Sequence, residues 1–487
     1  MKNLFFSNPT LSTEVQKAVT EMGFEEATPI QARAIPYILA GRDIIGQAMT
    51  GTGKTCAYGI PAVDMIDESL PGIQVLILCP TRELAVQVAE ELQAVSRFKK
   101  NVRVLPIYGG QSIDHQIMAL KRKPQIIVGT PGRVMDHMRR HTLKLANLKM
   151  LILDEADEML NMGFREDIDV ILPDLPEERQ TLLFSATMSP EIKEITKLYL
   201  RDPEYILTIH KELTIPNIEQ YYIEVRDSSK LELLCRLIDA KDIRLGLVFC
   251  NTKKRVDELT LSLQGRGYSA EALHGDMKQS ERTRVMTKFK QEKIDILVAT
   301  DVAARGIDVN NIEAVFNYDI PSDEEYYVHR IGRTARAGKK GVSYSFVYGG
   351  AMHKLRQIQQ YTKTPILPMQ PPQIKDIEEV KIQAAVQSVV TMLEVGGYSK
   401  YDKVIEKVLR QAEEATVLDV ASVLFKMAFD ELERSYEKTD FSDLKGKHFG
   451  NAKGKNFGNP KRRDFSYRDK KAFSGKTDRK QSKKRHS

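Results

Sequence analysis

A glycine-rich segment near the start of the chain has the residue types of a phosphate-binding loop. It follows the strand-like run 43–45 and consists of Ala48, Met49, Thr50, Gly51, Thr52, Gly53, Lys54 and Thr55. The glycines allow backbone N–H groups to approach a phosphate, Lys54 can pair with the β- and γ-phosphates, and Thr55 can ligate Mg²⁺. Taken without other motifs, the same residues also fit a glycine-rich turn.

Two adjacent carboxylates, Asp154 and Glu155, follow a second apolar run at 151–153. An ATPase that uses Mg²⁺ needs such a pair, because Asp154 can hold the metal while Glu155 orients and deprotonates the attacking water. The alternative is an acidic loop after a strand. That alternative leaves unexplained why the pair follows a phosphate-binding loop at a spacing suited to neighbouring strands.

Two arginines much later in the chain, Arg333 and Arg336, are three residues apart and therefore share one face of a helix. Such a pair can reach a γ-phosphate across a cleft as arginine fingers. A solvated basic helix face is the other interpretation of this segment.

The elements that would position these residues are short apolar runs alternating with amphipathic segments, in two successive blocks. The first block has runs at 75–78, 126–128, 151–153 and 182–184, and the second at 245–249, 294–298, 315–316 and 342–347. Runs this short and rich in branched residues are typical of strands buried on both faces of a parallel sheet. We therefore expect two α/β domains, at 1–208 and 217–362, joined by a short connection near 209–216.

Four prolines between residues 365 and 372 predict a linker, and 376–437 has the pattern of helices. Apolar residues recur at helical spacing in two stretches, 401–412 and 417–429. About sixty residues form only a marginal core by themselves. These apolar stripes therefore need a partner, either the two α/β domains or a second copy of the chain.

The C-terminal tail, 438–487, is predicted to be a disordered, basic RNA-binding segment. From Phe441 onward there are 16 Lys and Arg against 4 Asp, a net charge of +12, which leaves −5 for the first 440 residues. Phenylalanine recurs every eight residues from Phe441 to Phe473. The segment has too little apolar mass to fold alone, and cations with aromatic rings fit nucleic acid, although a solubilising tail is the alternative.

Composition excludes several classes of protein. Hydrophobic residues make up 42% and charged residues 29%, which is a globular balance. No apolar run approaches the ~18 residues of a spanning helix, and we expect no membrane association. Four scattered cysteines without a CxxC pair fit buried, reduced side chains, so we expect a cytoplasmic protein.

With its remaining motifs the chain resembles the DEAD-box RNA helicase family. Asp154–Asp157 spells the motif that names the family. The other family motifs stand in order at Gly23–Phe24, Thr28–Gln31, Pro80–Ala85, Gly109–Gly110, Thr130–Arg133, Ser185–Thr187, Phe249–Thr252, His274–Met277, Gln279 with Arg282, Thr300–Asp308 and His329–Arg336. The resemblance covers residues 1–362 and implies two RecA-like domains that use ATP and Mg²⁺ to separate or remodel short RNA duplexes.

The resemblance also implies roles for individual residues. Gln31 would read the adenine, Phe6 would pack on the base and Asp308 would contact the ribose. Lys54, Asp154, Glu155, Arg333 and Arg336 would be catalytic, and Ser185 with Thr187 would couple hydrolysis to strand separation. Contacts to the RNA backbone, which position RNA without reading its sequence, would come from Thr81, Arg82, Gly110, Thr130, Arg133, Arg282, Thr300 and Arg305.

The chain departs from the family pattern at Met49, where Gln is frequent, and at Ala335, where Gly is common. We expect little effect from Met49, because the loop backbone contacts the phosphates, and an effect from Ala335 only if its φ is positive. The layout after residue 362 is similar to that of bacterial cold-shock DEAD-box helicases, which implies a homodimer. Ribosome assembly, mRNA decay and cold adaptation all remain open as cellular roles. Ribosome-assembly or RNA-decay complexes are candidate partners.

Two rival functions deserve a test. An ATP-dependent RNA clamp or scaffold would use slow hydrolysis for assembly, and strand separation would be incidental. A DNA helicase is the second rival, and the whole motif set disfavours it. RNA-stimulated turnover with duplex release, and competition between matched RNA and DNA strands, distinguish the three.

Overall fold

The computed structural model describes residues 11–48, 52–207, 218–304, 309, 311–335, 339–412 and 414–435. Several features predicted from the sequence lie outside these residues. They are the connection at 209–216, the tail at 438–487, and the residues Phe6, Met49, Thr50, Gly51, Arg305, Asp308 and Arg336.

The first half of the chain forms a parallel seven-stranded sheet in the order β3-β4-β2-β5-β6-β1-β7. Its strands are β1 Ile44–Gln47, β2 Val75–Leu78, β3 Val104–Ile107, β4 Ile126–Gly129, β5 Met150–Leu153, β6 Gln180–Ser185 and β7 Glu204–Leu207. The helices are α1 Thr13–Glu21, α2 Pro29–Leu39, α3 Lys54–Asp64, α4 Arg82–Val95, α5 Ile113–Leu120, α6 Pro131–Arg139, α7 Ala156–Asn161, α8 Arg165–Ile171 and α9 Pro190–Tyr199.

The second half repeats this plan with a parallel sheet in the order β10-β11-β9-β12-β13-β8-β14. Its strands are β8 Ile218–Glu224, β9 Gly246–Phe249, β10 Ala270–Leu273, β11 Ile296–Ala299, β12 Ala314–Asn317, β13 Gly341–Val347 and β14 Leu367–Pro368. The helices are α10 Lys230–Ala240, α11 Lys253–Gly265, α12 Gln279–Lys290, α13 Asp301–Ala304, α14 Glu324–Ile331 and α15 Ala351–Thr362.

Both sheets are sandwiched between helices, as the apolar runs predicted. All four residues of β2, β4 and β5 are buried, and two apolar clusters lie on opposite faces of the first sheet. The second sheet has the same arrangement on β9, β11 and β12. The predicted pair of α/β domains is therefore confirmed, and the carboxyl ends of the strands are the edge where such folds bind ligands.

The proline-rich segment after residue 362 is not a free linker, contrary to the expectation from the sequence. Leu367 and Pro368 form β14 at the edge of the second sheet, where they pair with β8. Ile366 is buried, and the backbone N–H of Met369 donates to the carbonyl of Tyr222. Proline is tolerated here because an edge strand leaves one side without ladder hydrogen bonds.

Three further helices follow: α16 Ile374–Val395, α17 Asp402–Gln411 and α18 Val417–Ser435. The start of α16 packs on α10, where Ile377 is buried and Lys381 Nζ lies 3.3 Å from Asp239 Oδ2. No residue of α17 is buried, and large apolar side chains are exposed on the second half of α16, on α17 and on α18. None of the helices in the described parts of the chain combines the length and apolar composition that a membrane crossing needs.

Candidate functional site

Thr52 and Gly53 of the predicted phosphate-binding loop lead into α3 and leave room for an anion. Gly53 has a φ of +88°, and a Cβ there would lie 2.5 Å from the amide nitrogen of Gln31, so only glycine fits. Lys54 follows as the first residue of α3. Its ammonium is buried and has no hydrogen-bond partner among the described residues. A buried cation without a partner is costly, and a nucleotide phosphate would satisfy it.

Asp154 and Glu155 follow β5, which lies two strands away from β1 in the sheet. Asp154 accepts hydrogen bonds from the Tyr58 hydroxyl at 2.7 Å and from the Glu155 N–H at 3.0 Å. Burial raises the pKa of both carboxyls, and the nearby Lys54 ammonium partly offsets that rise. Glu155 has a φ of +50°, an uncommon angle for a side chain of this size that turns the chain sharply after the strand.

Gln31 connects the start of α2 to the phosphate-binding loop. Its Oε1 accepts from the Thr28 N–H at 2.9 Å, and its Nε2 donates to the Gly53 carbonyl at 3.1 Å. Each of the two amide atoms can form one further hydrogen bond. The same side chain can therefore hold the loop and still present a donor and an acceptor to a base.

Asp157, the last residue of the naming motif, binds the Ser185–Thr187 segment at the end of β6. Its Oδ2 accepts from the N–H groups of Ala186 at 3.0 Å and Thr187 at 2.8 Å. The Ser185 hydroxyl donates to the Thr187 carbonyl at 2.6 Å. The carboxylate motif and this segment thus form one hydrogen-bonded unit.

The second domain brings Arg333 to the same cleft. Arg333 is buried, and its positive charge partly offsets the rise in the pKa of Glu155 that burial causes. Beside it, Glu158 of α7 forms an ion pair with His329 of α14. Burial opposes the charged form of His329, but the pairing with Glu158 outweighs it and raises the pKa of the imidazole.

Arg330, to which sequence reasoning gave no role, organises the interior of the second domain. It is fully buried and binds both carboxylate oxygens of Asp301, at 2.5 and 2.8 Å. It also donates to Asn251 Oδ1 at 2.9 Å and to the Asp319 carbonyl at 2.5 Å. The guanidinium therefore ties together the segments that follow β9, β11 and β12.

Away from the phosphate-binding loop, three of the predicted arginines form a cluster where the domains meet. Burial lowers the pKa of Arg82, and the charges of Arg282 and Arg133 lower it further. Arg282 Nε lies 2.8 Å from Glu83 Oε1, and Arg82 Nη1 donates to Gln279 Oε1 at 3.2 Å, so both contacts join the first domain to α12. Close-set cations of this kind suit a phosphate backbone.

Other predicted residues surround this cluster at helix and strand ends. Thr81 caps α4 by accepting from the Leu84 N–H at 3.2 Å, and Thr130 stands at the start of α6. Gly110 has a φ of +84°, and a Cβ there would collide with the Arg82 guanidinium. Thr300 directly precedes α13 in the second domain.

A buried amide that the sequence did not single out holds Arg133 in place. Gln116 Oε1 accepts from Arg133 Nη1 at 3.0 Å and contacts the His137 ring nitrogen Nε2 at 3.1 Å. Gln116 Nε2 donates to the Tyr108 carbonyl at 3.0 Å and to Gln111 Oε1 at 2.8 Å. The amide thus links Arg133 to the loop that contains Gly109 and Gly110.

Comparison with known proteins decides what this arrangement is. The family model for DEAD/DEAH box helicases matches residues 28–195, and that for the helicase conserved C-terminal domain matches 229–338. The DEAD-box ATP-dependent RNA helicase CshA of Geobacillus kaustophilus is 50% identical over 413 residues, which are 85% of this chain and 88% of the relative. The chain belongs to the DEAD-box ATP-dependent RNA helicase family. It is therefore an ATP-hydrolysing enzyme that acts on RNA.

Other relatives agree with this family. The ATP-dependent RNA helicase CshA of Limosilactobacillus reuteri is 49% identical over 422 residues, 87% of this helicase and 84% of the relative. A Dbp5 variant from S. cerevisiae, bound to RNA and ADP–BeF3, is 31% identical with a TM-score of 0.70 and covers 79% of this helicase and 99% of its own chain. Residues 372–438 match the family model of the RNA helicase DeaD dimerization domain.

One departure of this helicase from the family pattern has a structural consequence. Ala335 has a φ of +58°, which is the case in which alanine, unlike glycine, is strained. The left-handed conformation costs an L-residue roughly 1–2 kcal/mol. The residue therefore stores strain directly before the predicted second finger, Arg336.

Proposed function

We propose that this helicase hydrolyses ATP with Mg²⁺ in the cleft between its domains through the residues predicted from the sequence. The proposal rests on the buried ammonium of Lys54, which has no hydrogen-bond partner among the described residues and lies near Asp154. A nucleotide phosphate would supply the missing acceptor. Glu155 orients and deprotonates the attacking water, and its raised pKa makes it a better base than an exposed glutamate. Arg333 and Arg336 stabilise the charge on the transferred phosphate.

Mg²⁺ fits the residues at this position. Thr55 and Asp154 offer a hydroxyl and a carboxylate oxygen, the hard ligands that Mg²⁺ prefers, and nucleotide phosphates supply others. In the described parts of the chain no cluster of three His, Cys, Asp or Glu side chains suits a metal. This absence agrees with a metal held largely by the nucleotide. When bound, Mg²⁺ neutralises phosphate charge.

We propose that Gln31 and Phe6 recognise the adenine and Asp308 the ribose, so that ATP is preferred over GTP. Adenine presents an adjacent donor and acceptor, which a side-chain amide can match. The position of Gln31 beside Gly53 supports this role, because base recognition then affects the loop that holds the phosphates.

The RNA backbone is proposed to lie along the arginine cluster formed by Arg82, Arg133 and Arg282. Phosphate contacts position RNA without reading its sequence, and the 2′-OH distinguishes it from DNA. Thr81, Gly110, Thr130, Thr300 and Arg305 complete the proposed backbone contacts. Binding of short duplexes and their separation follow when closure of the groove bends one strand.

The proposed cycle is a clamp in which ATP and RNA close the domains together and hydrolysis reopens them. Two ion pairs between the domains support it: Glu83 with Arg282 on the RNA side, and Glu158 with His329 on the nucleotide side. Ser185 and Thr187, which are bound by Asp157, are proposed to couple the two sides. Each ligand should then promote binding of the other.

For the rest of the chain we propose the domain bounds 1–208, 217–362, 376–437 and 438–487. The third segment is proposed to form a homodimer, because its exposed apolar side chains and its match to a dimerization domain both favour a second copy. The fourth is proposed to bind RNA through its charge of +12. We also propose a cytoplasmic location and a role in ribosome assembly, mRNA decay or cold adaptation. Complexes for ribosome assembly or RNA decay are the proposed partners.

The test is Glu155→Gln in the full chain, measured together with the wild type. The amide keeps the shape of the side chain and loses the base, so ATP and RNA binding should persist while turnover nearly disappears. The wild type should release the strand of a short RNA duplex in proportion to ATP hydrolysis. Turnover of the variant within a few-fold of wild type would remove Glu155 from its role.

Wild-type hydrolysis without duplex release would favour the RNA clamp or scaffold. Equal competition by matched DNA and RNA strands would favour a nucleic-acid motor without preference for RNA.

A further inference from the structure

Two neighbouring segments at the open edge of the first sheet contain seven cations, four of which line a shallow cavity away from the arginine cluster. We call these cations the basic rim: Arg97, Lys99, Lys100, Arg103, Lys121, Arg122 and Lys123. The two segments that contain it, 97–105 and 119–126, include no acidic residue. The first 440 residues carry a net charge of −5, so this concentration of positive charge differs from the slightly negative average of the rest of the chain before the tail.

The cavity has a volume of about 390 Å³ and is lined by four of these cations, Arg97, Lys99, Arg103 and Arg122, and by no carboxylate. It lies where α4 and α5 end and β3 begins. Cations after a helix C-terminus stabilise that helix, which accounts for one or two at each helix end. It does not account for all seven cations of the basic rim.

Two of these side chains are fixed by hydrogen bonds to backbone carbonyls, which do not neutralise their charge. Arg103 Nη1 donates to the Arg122 carbonyl at 2.7 Å, and Lys99 Nζ donates to the Asp64 carbonyl at 3.0 Å. Carboxylates lie near one side of the rim, where Glu14 is close to Lys99 and Lys100 and Glu68 accepts from the Asn101 N–H at 3.3 Å. Arg97 forms an ion pair with Glu21 at 3.2 Å, but both side chains are largely exposed and such pairs are weak. The rim is therefore a partly ordered, positively charged surface suited to phosphate.

The basic rim continues the proposed RNA groove along one strand. β3 begins at Val104, beside Arg103, and its other end leads into Gly109 and Gly110 beside Arg82. Four residues of strand span about 13 Å, the length of about four nucleotides of a stacked strand. β3 is the outermost strand of the sheet, so no neighbouring strand blocks this path.

We propose that the basic rim is a second RNA site, which binds the phosphate backbone of RNA that extends beyond the groove. The inference rests on the proposed RNA groove and adds to it a preference for longer RNA. Phosphates would replace counterions at the rim and make binding of long RNA dependent on salt. No catalytic residue lies there, so the maximal rate of hydrolysis is unaffected.

The test compares two triple variants of the full chain that lose the same charge. Lys121→Gln, Arg122→Gln and Lys123→Gln alter the rim, while Lys144→Gln, Lys193→Gln and Lys197→Gln remove three exposed lysines elsewhere on the first domain. Binding is measured with an RNA of about 6 nucleotides, which fills the groove, and one of about 20 nucleotides, which extends beyond it.

The rim variant should bind the long RNA about tenfold more weakly at low salt. Its slope of log affinity against log salt should become shallower by about 2, since each phosphate contact of a single strand contributes about 0.7. The short RNA should bind and stimulate hydrolysis as before, and the control variant should match the wild type. In the wild type, the long RNA should protect Lys99, Lys121 and Lys123 from acetylation, as read by mass spectrometry.

Equal losses in the two variants, or no protection of the three lysines, would overturn the proposal. Protection by polyglutamate or by anionic phospholipid vesicles, but not by RNA, would also overturn it and assign the rim to an acidic protein or a membrane surface. Failure of the proposed groove is distinguishable, because the short RNA would then fail to stimulate hydrolysis in the wild type.

Discussion

Replacement of Gln116 by methionine tests whether a buried amide positions the proposed RNA-binding residues of the first domain. The side chain of Gln116 is 2% exposed and forms four hydrogen bonds, to Tyr108, Gln111, Arg133 and His137. Methionine has a similar volume and keeps the packing, but it makes none of these bonds.

The structure sets the size of both expected effects. The half-buried Tyr108 carbonyl can accept from water instead, but the buried His137 ring nitrogen loses its partner. One unsatisfied buried group costs about 1–3 kcal/mol, so the free energy of unfolding should fall by roughly that amount. Arg133 keeps the Gln111 carbonyl at 3.1 Å and Asp136 at 3.9 Å, but it is no longer held from the interior. Loss of one well-aligned, charged hydrogen bond to phosphate is worth about 1.5 kcal/mol, which is roughly tenfold in affinity.

The assay is RNA-stimulated ATP hydrolysis, with thermal unfolding measured on the same protein. Gln116→Met should raise the RNA concentration for half-maximal stimulation about tenfold and leave the maximal rate nearly unchanged. Gln180→Met is the matched control, because Gln180 is a buried amide of the same domain that donates to the Ile38 and Arg42 carbonyls at 3.0 and 2.6 Å. Equal loss of RNA affinity in both variants would show that Gln116 only stabilises the fold.

Three further predictions follow from the nucleotide site, the domain contact and the C-terminal helices. Gln31→Ala should weaken ATP use and narrow the preference over GTP, and an unchanged ATP-to-GTP ratio would show that adenine is read elsewhere. Charged His329 stabilises domain closure while its raised pKa keeps it protonated, so closure measured by fluorescence transfer should weaken as pH rises from the ordinary histidine value through that raised pKa. Glu158→Gln should abolish this pH dependence, and a dependence that survives the change would refute the pairing. A chain ending at Glu437 should have twice the monomer mass in light scattering, and charge substitutions at Leu424 and Phe425 should make it monomeric; a monomer before substitution would leave the exposed helices without a second copy.

The strands that the sequence predicted are those in the interior of each sheet. β2, β4, β5 and β6 are apolar on both faces and stand out as unbroken runs. No comparable run marks β3, β7, β10 and β14, which are the outer strands of their sheets, or β8, which lies next to β14. An outer strand has half-buried residues such as Leu105 and Glu271, so its pattern resembles that of a loop.

Site residues in contiguous motifs could be predicted from the sequence, whereas residues held by distant partners could not. Lys54, Asp154 and Glu155 lie in contiguous motifs, and their types and spacing were enough to predict their roles. Gln116 follows two other polar residues in a short helix, and the local sequence does not single it out because its partners come from a loop and a second helix. The positive φ of Ala335 depends on how the chain leaves α14, and alanine itself does not indicate such a backbone angle.

The contacts between the domains were the least accessible to sequence reasoning, and they matter most for coupling. Glu83 and Arg282 are separated by 199 residues, and neither is unusual in its local sequence. Their pairing depends on how two separately folded domains meet, as does that of Glu158 with His329. One pair adjoins the arginine cluster and the other adjoins the nucleotide carboxylates, so both form only when the cleft is closed at both ends. A ligand at either end that favours closure therefore makes the pair at the other end easier to form, and this reciprocity is the physical basis expected for coupled binding of ATP and RNA.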